Sequence, residues 1–241
     1  MAGINAARQV QGKEPFILGR SEAYIGVLID DLVTKGTEEP YRMMTSRAEY
    51  RLILRQDNAD LRLTEKGHEI GLVTANRYQR FMEKKQAIDA ALDILKKTIL
   101  TPNDDVQQKL KSLGTSELRN PISLYDLLKR TEVNYELLSS VFVMPKLAAE
   151  VQQQIEITTK YEGYIKKQSE QVERAVKLEE KRLPVNFDYE QVHGLALEAR
   201  QKLNKIQPFS VGQASRISGV SPADVAILMI YLEQLRRRGG Q

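Results

Sequence analysis

Apolar residues recur every three or four positions along most of the chain, a spacing that is typical of amphipathic α-helices. Strand signals are sparse, with only 40–44 and 61–63 as candidates for short extended pieces. The pattern therefore predicts a mainly helical fold. The helices predicted before Pro145 are 22–36, 47–56, 76–97, 107–114, 124–130 and 134–142, and a short turn is predicted over 65–73. The residues expected to cap them include Ser21, Thr45 or Ser46, Thr64, Thr74 and Ser123.

The longest helical pattern runs over 145–182. Polar residues such as Glu162 interrupt its apolar seam, so a long helix leaning on the body is favoured over a free-standing coiled coil. The stretch "LPVNFDY" (183–189) breaks the pattern and marks a boundary. Three further helices are predicted between this boundary and the end of the chain, where Ser210 and Ser221 are suitable caps.

Composition excludes several classes of site. Charged residues make up 28% and hydrophobic residues 41% of the 241 positions, as in ordinary globular proteins. The absence of cysteine excludes disulfides, thiolate metal sites and a cysteine nucleophile within this chain. His68 and His193 are its only histidines, which disfavours a histidine metal site. No apolar run approaches the roughly 18 residues that a membrane span requires, so we expect a soluble, cytoplasmic protein.

Arginine is concentrated in "PYRMMTSRAEYRLILRQDNADLRL" (40–63), where five occur in 24 residues. On a helix, Arg47, Arg51 and Arg55 would project from one side, because residues four apart are neighbours. Arginine makes bidentate contacts with phosphate, so the segment is a candidate anion site. Salt bridges to acidic neighbours are the alternative, and spacing alone favours them. The acidic candidates are Glu38, Glu39, Glu49, Asp57 and Asp60.

The stretch "GQASRISGVSPADVAIL" (212–228) has the small residue, turn glycine and apolar positions of a DNA-binding helix-turn-helix. A recognition helix needs polar or basic side chains at its start, where it meets base edges and phosphates. Here the second helix offers Asp224 and an almost wholly apolar surface. A packed three-helix unit and a protein-docking surface are both favoured over a DNA reader. A DNA-binding regulator and a purely structural helical domain stay as alternative functions.

Two long stretches of the chain resemble one protein family. They are "EPFILGRSEAYIGVLIDDLVTKGTEEPYRMMTSRAEYRLILRQDNADLRLTEKGHEIGLV" (14–73) and "LPVNFDYEQVHGLALEARQKLNKIQPFSVGQASRISGVSPADVAILMIYLEQ" (183–234). Both are similar to the C-terminal part of the MnmG (GidA) family, flavoenzymes that modify the wobble uridine of certain tRNAs. The resemblance spans almost the whole chain and is least distinctive over about 75–145.

The resemblance implies that the chain is a C-terminal fragment. Family members are much longer, with an N-terminal FAD-binding domain and an inserted NADH-associated domain. Residues 2–8, "AGINAAR", resemble the last helix of that flavin domain. The expected organisation is thus a tail of the flavin domain over 1–14, a helical domain over 15–183 and a C-terminal helical subdomain over 184–241. The fragment is expected to hold no cofactor and to be inactive alone.

For the full-length enzyme the resemblance implies FAD, NADH, a folate-derived one-carbon unit and glycine or ammonium as participants. Together with the GTPase MnmE, such an enzyme adds a carboxymethylaminomethyl or aminomethyl group at C5 of the tRNA wobble uridine. A homodimer that forms a heterotetramer with MnmE is expected, without any membrane association.

The resemblance also implies roles for residues of this chain, because the family's helical region is associated with tRNA contact and with MnmE docking. The predicted tRNA-binding residues are Arg42, Arg47, Arg51 and Arg55. The final three helices are the predicted docking region, with Arg216, Tyr231, Arg236 and Arg237 as the predicted partner-docking residues. No catalytic residue and no metal ligand is predicted within the chain.

Overall fold

The structure is a computed structural model that describes residues 1–239, with side chains described to Arg237. The predicted mainly helical fold is confirmed, since twelve α-helices and one small antiparallel sheet form the regular structure of the described residues. Residues 240 and 241, the last two positions of the predicted subdomain 184–241, lie outside the described residues. The helices are α1 Ala2–Val10, α2 Tyr24–Thr34, α3 Ala59–Glu69, α4 Ala75–Lys97, α5 Asp104–Ser112, α6 Leu124–Leu128, α7 Tyr135–Val141, α8 Ala149–Lys160, α9 Glu162–Glu179, α10 Leu197–Ile206, α11 Val211–Arg216 and α12 Pro222–Gly239. The strands are β1 Ile99–Leu100 and β2 Ile122–Ser123.

Contacts divide the chain into two compact units. The central unit comprises residues 55–167, and the discontinuous unit combines residues 1–54 with 168–241. The second unit joins distant parts of the sequence because Asp30 of α2 binds Arg216 of α11. The units are not the sequence ranges 15–183 and 184–241, which stay predictions about domain boundaries.

The central unit is built around α4, which packs against α3, α6 and α8. One apolar cluster fills the space between these helices, and Leu110 and Leu127 are completely buried in it. Strands β1 and β2 pair in antiparallel register beside it, with Ile99 opposite Ser123. The apolar period of the sequence thus produces helices that share one core.

Side-chain caps fix where several helices begin. Asn103, Ser123 and Asn134 each accept a hydrogen bond from an amide three residues further on, at 2.8 to 3.0 Å. Such caps satisfy N–H groups that have no partner inside the helix. The predicted starts after Thr74 and Ser123 are confirmed. Gly114 follows α5 with a φ of +68°, a left-handed conformation that favours glycine.

Helix α3 begins earlier than its sequence pattern predicts. It starts at Ala59, so the expectation that Thr64 caps a separate short turn is wrong, and 61–63 is helical rather than extended. The reason is tertiary: α3 lies along α4, and Lys84 Nζ of α4 binds the Asp60 carboxylate at 2.8 Å. This contact stabilises a first turn that local propensity alone did not reveal.

The single long helix predicted over 145–182 is also wrong. It is divided at Tyr161, where φ −102° and ψ 10° leave the helical region, into α8 and α9. Gly163 follows two residues later, and glycine lowers helix stability by about 1 kcal/mol relative to alanine. Helix α8 buries residues such as Ile155, whereas no residue of α9 is buried. The apolar seam predicted over 145–182 is therefore buried in α8 but not in α9.

Helix α2 begins at Tyr24 rather than directly after Ser21, which is not its cap. Residues 19–22 form a turn before it, and the helix approaches this turn very closely. A Cβ atom on Gly26 would lie 2.4 Å from the carbonyl oxygens of both Leu18 and Gly19. Only glycine fits there, and the close approach carries Arg20 beside the second half of α2.

The three helices predicted at the end of the chain are confirmed as α10, α11 and α12, and they share an apolar cluster. Leu203, Ala214 and Leu228, one from each helix, are completely buried. Ser221 and Asp224 form a capping box, in which Asp224 Oδ2 accepts the Ser221 amide at 2.9 Å. Although α12 is rich in apolar residues, no helix of the described part is long and apolar enough to cross a membrane.

Candidate nucleic-acid interface and docking surface

Residues 40–51, here called the arginine loop, do not form the predicted helix 47–56. A single 3-10 turn, Thr45–Arg47, is followed by extended and turn conformations, and 40–44 forms no strand. Ala48 and Leu54 are both buried against Val27 of α2. Six residues apart on an α-helix they would point in different directions, so burying both requires an irregular backbone. The prediction failed because this burial outweighs the local helical pattern.

Arg20 anchors the loop from beneath, with only 8% of its surface exposed. Its Nη2 donates to Glu49 at 2.7 Å and to the Arg47 carbonyl oxygen at 3.5 Å. Its Nη1 donates to Asp31 at 2.7 Å and to Asp30 at 3.0 Å. Burial opposes the charge of Arg20, but Glu49 and Asp31 outweigh burial and raise the guanidinium pKa. The loop backbone is therefore tied to α2 through one buried arginine.

Asp31 is the most deeply buried acid of this network, at 2% exposure. Burial favours its neutral form, but hydrogen bonds from Tyr41, Lys35 and Arg20 outweigh burial and lower its pKa to about 2. Tyr41 Oη donates to Asp31 Oδ2 at 2.7 Å. Burial and the neighbouring Asp31 charge raise the pKa of Tyr41 in turn, so its hydroxyl stays protonated as a donor.

Arg47 is exposed and lies on an aromatic ring. Its Cζ is 4.3 Å from the centroid of the Tyr41 ring, which is within the range of a cation–π contact. Its Nε donates to the Arg42 carbonyl oxygen at 3.0 Å. No acceptor for its two terminal nitrogens occurs among the described residues. Arg47 thus presents two free nitrogens in a fixed plane.

Arg42 and Arg51 are exposed as well, and within the described part of the chain neither guanidinium has a carboxylate partner. Arg55 differs from them. It belongs to the central unit, where its Nε binds Asp57 at 3.1 Å and its Nη2 donates to Gln154 at 3.4 Å. The four predicted tRNA-binding arginines therefore separate into three on the arginine loop and one that is paired elsewhere.

Arg216, a predicted docking residue, is engaged inside the chain. Its Nε and Nη2 bind the two oxygens of Asp30 at 2.8 and 2.9 Å, and its Nη1 binds Glu179. Burial opposes its charge, and the two carboxylates outweigh burial and raise its pKa. Glu179 also accepts the Ser210 hydroxyl, so the start of α11 is tied to the end of α9. The Arg216 guanidinium therefore has a structural role, because it binds carboxylates within the chain.

The other predicted docking residues lie on α12. The half-buried Tyr231 packs against the ring of Phe187, whereas Arg236 is exposed and Arg237 pairs with Glu233 at 2.9 Å. Beside them lies a surface groove of about 490 Å³. Ile230, which is 58% exposed, is one of its apolar lining residues. The residues that line it are Lys181, Met229, Ile230, Leu232, Glu233, Arg236 and Arg237.

The start of α12 does not resemble a DNA-reading surface. Asp224 is buried and serves the capping box, while the exposed positions of the first turn are Pro222 and Ala223. Neither side chain donates a hydrogen bond to a base edge or a phosphate. The geometry therefore favours a packed three-helix unit with an apolar outer face.

Comparison with known families gives two adjacent matches. The model of the tRNA modifying enzyme MnmG/GidA C-terminal helical domain matches residues 75–169, and that of the MnmG/GidA C-terminal helical bundle matches 171–241. The chain belongs to the MnmG/GidA family. The resemblance read from the sequence is thereby confirmed.

Curated members of the MnmG/GidA family are similar along the whole chain. A Clostridium kluyveri protein named tRNA uridine 5-carboxymethylaminomethyl modification enzyme MnmG is 60% identical over 238 residues, which are 98% of this chain and 38% of that protein. A Listeria monocytogenes protein of the same name is 57% identical over 235 residues, 97% of this chain and 37% of that protein. The chain thus spans well under half the length of these relatives.

Solved structures of the family share the fold. Aquifex aeolicus GidA in its form II crystal superposes with a TM-score of 0.80 at 40% identity, over 96% of this chain and 36% of that one. The form I crystal gives a TM-score of 0.77 at 39% identity. The helical arrangement described above is therefore a MnmG/GidA arrangement.

The described residues contain no strand–turn–helix unit of the kind that binds a dinucleotide. A dinucleotide site is built on parallel strands, with a glycine-rich turn that leads into a helix. The two strands of the described part are two residues long and antiparallel. Nor does any group of three or more His, Asp or Glu side chains in this part have the arrangement of a metal site.

Proposed function

We propose that this chain is the tRNA-binding and partner-docking part of a tRNA-modifying enzyme. The observation that carries the proposal is the arginine loop: three exposed arginines, free of carboxylate partners, on a backbone fixed by a buried arginine. The full-length enzyme would act with FAD, NADH and the GTPase MnmE in the cytoplasm. It would add a carboxymethylaminomethyl or aminomethyl group at C5 of the wobble uridine, as homodimers that assemble with MnmE into a heterotetramer.

The chemistry of the loop supports phosphate as its ligand. A guanidinium presents paired N–H groups that match two phosphate oxygens, and its charge persists at every physiological pH. Salt bridging inside the chain was the rival explanation, and Glu49, the nearest acidic candidate, is committed to Arg20. The loop arginines are left for an external anion.

Arg55 stays in the proposed contact set with a smaller expected effect. A phosphate at Arg55 would have to compete with Asp57, whose carboxylate already binds the guanidinium. Burial raises the pKa of Asp57, but hydrogen bonds from Gln154 and the Arg55 charge outweigh it and lower the pKa overall. Asp57 is therefore an ionised competitor at neutral pH.

The groove along α12 supports the docking part of the proposal. It is lined by the apolar Met229, Ile230 and Leu232 and by four charged side chains. Of the charged ones, Lys181 and Arg236 have no carboxylate partner among the described residues. Buried apolar area with arginine at the edge is typical of protein interfaces. Tyr231, Arg236 and Arg237 are the proposed contacts, whereas Arg216 would act only by holding α11 in place.

The test is binding of the 241-residue chain to an unmodified tRNA transcript with a wobble uridine, measured by fluorescence anisotropy at several salt concentrations. We expect the Arg47→Ala/Arg51→Ala variant to bind more weakly. The slope of log affinity against log salt concentration should decrease in magnitude by about 0.7 to 0.9 for each phosphate contact that is lost. The matched control Arg77→Ala/Arg119→Ala removes two exposed arginines of the central unit and should change affinity less.

Equal losses in the two double variants would show nonspecific attraction and contradict the proposed site. Unchanged affinity in Arg47→Ala/Arg51→Ala would leave the structural role of the loop as the better explanation. For docking, Arg236→Ala/Ile230→Asp should weaken capture of MnmE and leave tRNA affinity unaltered. A loss of both activities would mean that the α12 face is not a separate docking surface.

A further inference from the structure

We propose that Tyr41 is a positioning residue for tRNA binding. The ring of Tyr41 holds the Arg47 guanidinium in an orientation in which the two terminal nitrogens of Arg47 bind one phosphodiester. The inference rests on the proposed function and adds to it the device that prepares the arginine. It makes Tyr41 important through its aromatic face rather than through contact with the RNA.

The ring of Tyr41 is held in place through its hydroxyl group. Its hydroxyl donates to Asp31 Oδ2 at 2.7 Å, and the other oxygen of that buried carboxylate accepts Arg20 at 2.7 Å and Lys35 at 3.0 Å. Two cations thus hold the carboxylate, and the carboxylate holds the phenol. The ring is a rigid platform because its polar end cannot leave without exposing a buried charge.

Arg47 is held at three points. Its guanidinium carbon lies 4.3 Å from the Tyr41 ring centroid, its Nε donates to the Arg42 carbonyl oxygen, and its own carbonyl oxygen accepts Arg20. An exposed arginine normally samples many rotamers and loses this freedom on binding. Here the ring and the Arg42 carbonyl restrict the side chain beforehand, so less freedom is lost when a phosphate binds.

The remaining donors suit one phosphate. Of the five N–H groups of a guanidinium, the one on Nε is used by Arg42, and the four on Nη1 and Nη2 have no acceptor among the described residues. Acidic residues close in sequence do not compete, because Glu49 binds Arg20 instead. Two oxygens of a phosphodiester are the matching acceptors.

The experiment compares Tyr41→Phe with Tyr41→Leu in the 241-residue chain, using the same tRNA transcript and anisotropy measurement. Both substitutions remove the hydroxyl and its bond to Asp31, but only phenylalanine keeps an aromatic face. We expect Tyr41→Leu to bind tRNA about two- to five-fold more weakly than Tyr41→Phe, the usual range of an exposed cation–π contact. Their thermal midpoints, measured alongside, should be similar.

The same two Tyr41 substitutions, made in the Arg47→Ala variant, complete a double-mutant cycle. In that background Tyr41→Phe and Tyr41→Leu should have equal tRNA affinities, because no guanidinium remains for the ring to hold. A difference that persists without Arg47 would mean that Tyr41 itself touches RNA, and would overturn the positioning role. Equal affinities of the two Tyr41 variants beside a normal Arg47 would overturn it too.

The outcomes separate the two proposals. If Arg47→Ala alone leaves tRNA affinity unchanged, the phosphate contact at Arg47 fails and the positioning role fails with it. If Arg47→Ala weakens binding while the two Tyr41 variants agree, the contact stands and only the positioning role is lost. If leucine lowers the thermal midpoint well below that of phenylalanine without changing affinity, the ring serves the fold alone.

Discussion

Two regions of this chain, the central unit and the surroundings of the arginine loop, are each stabilised by a different kind of interaction. The central unit, all of which the structure describes, has 17 buried residues in one apolar cluster. The arginine loop, by contrast, packs on a small cluster of three buried residues, Val27, Ala48 and Leu54, and directional bonds from Arg20 and Arg216 add to the order of this region. An apolar core tolerates small shifts of its members, whereas charge pairs require defined distances and angles. The loop that presents cations is therefore fixed by geometry more than by buried area.

The largest effect is expected for Arg20→Ala. It leaves the buried Asp31 and the half-buried Asp30 without one of their cationic partners. Removing one partner of a buried ion pair typically lowers the free energy of unfolding by about 3–5 kcal/mol. Arg20→Ala also removes the anchor of the Arg47 carbonyl, so tRNA affinity should fall under conditions where the variant is still folded. Urea denaturation and anisotropy measure the two effects, and a folded variant with normal affinity would contradict the anchoring role.

Leu127→Ala in the central unit should cost about 2–5 kcal/mol by leaving a cavity among fully buried side chains. The change lies in the apolar cluster of the central unit, which includes no residue of the arginine loop. The tRNA affinity of the folded variant should therefore match that of the unmodified chain. Urea denaturation monitored by circular dichroism gives the cost. A loss of affinity as large as that of Arg20→Ala would remove the distinction between the central unit and the arginine loop.

Acid should weaken the discontinuous unit through Asp31. Its pKa is lowered from 3.8 to about 2, so its contribution is complete above pH 4 and is lost as the pH falls from about 4 to 2. The shift corresponds to about 2 kcal/mol, since one pKa unit is about 1.4 kcal/mol. Urea midpoints between pH 2 and 5 should therefore fall more steeply for the native chain than for Asp31→Asn, and equal slopes would refute the assignment.

The smallest effect on stability is expected for Arg237→Ala. Its pair with Glu233 is exposed on the surface of α12, and such pairs contribute about 0–1 kcal/mol. Thermal unfolding should thus change little, in contrast to Arg20→Ala, although both substitutions remove an arginine from an ion pair. A large destabilisation would indicate that α12 depends on charge as the arginine loop does.

The parts of the fold that were predictable are those decided by neighbouring residues. Helix starts after Thr74 and Ser123 and the three helices of the C-terminal bundle follow from caps and apolar spacing within one or two turns. The helix over 47–56 failed because Ala48 and Leu54 are buried together by contacts with α2, which no local pattern records.

The candidate site was predictable only in outline. Arginine spacing and the family resemblance marked Arg42, Arg47 and Arg51, but nothing near Arg20 or Tyr41 in the sequence indicated their roles. Those roles arise from partners 10 to 29 positions away, such as Asp31 and Glu49. The pairing of Arg216 with Asp30 spans 186 positions and was likewise beyond a local pattern.

Asp30 accepts hydrogen bonds from two arginines at once, Arg20 and Arg216. This sharing limits how the protein can vary through evolution. Exchanging the charges of one pair, as in Arg20→Asp with Asp31→Arg, would set the new aspartate against Asp30 and Glu49 and would not restore the fold. Changing one partner therefore cannot compensate for the loss of another. Arg20, Arg216 and the carboxylates that they bind are expected to change together or to stay as they are.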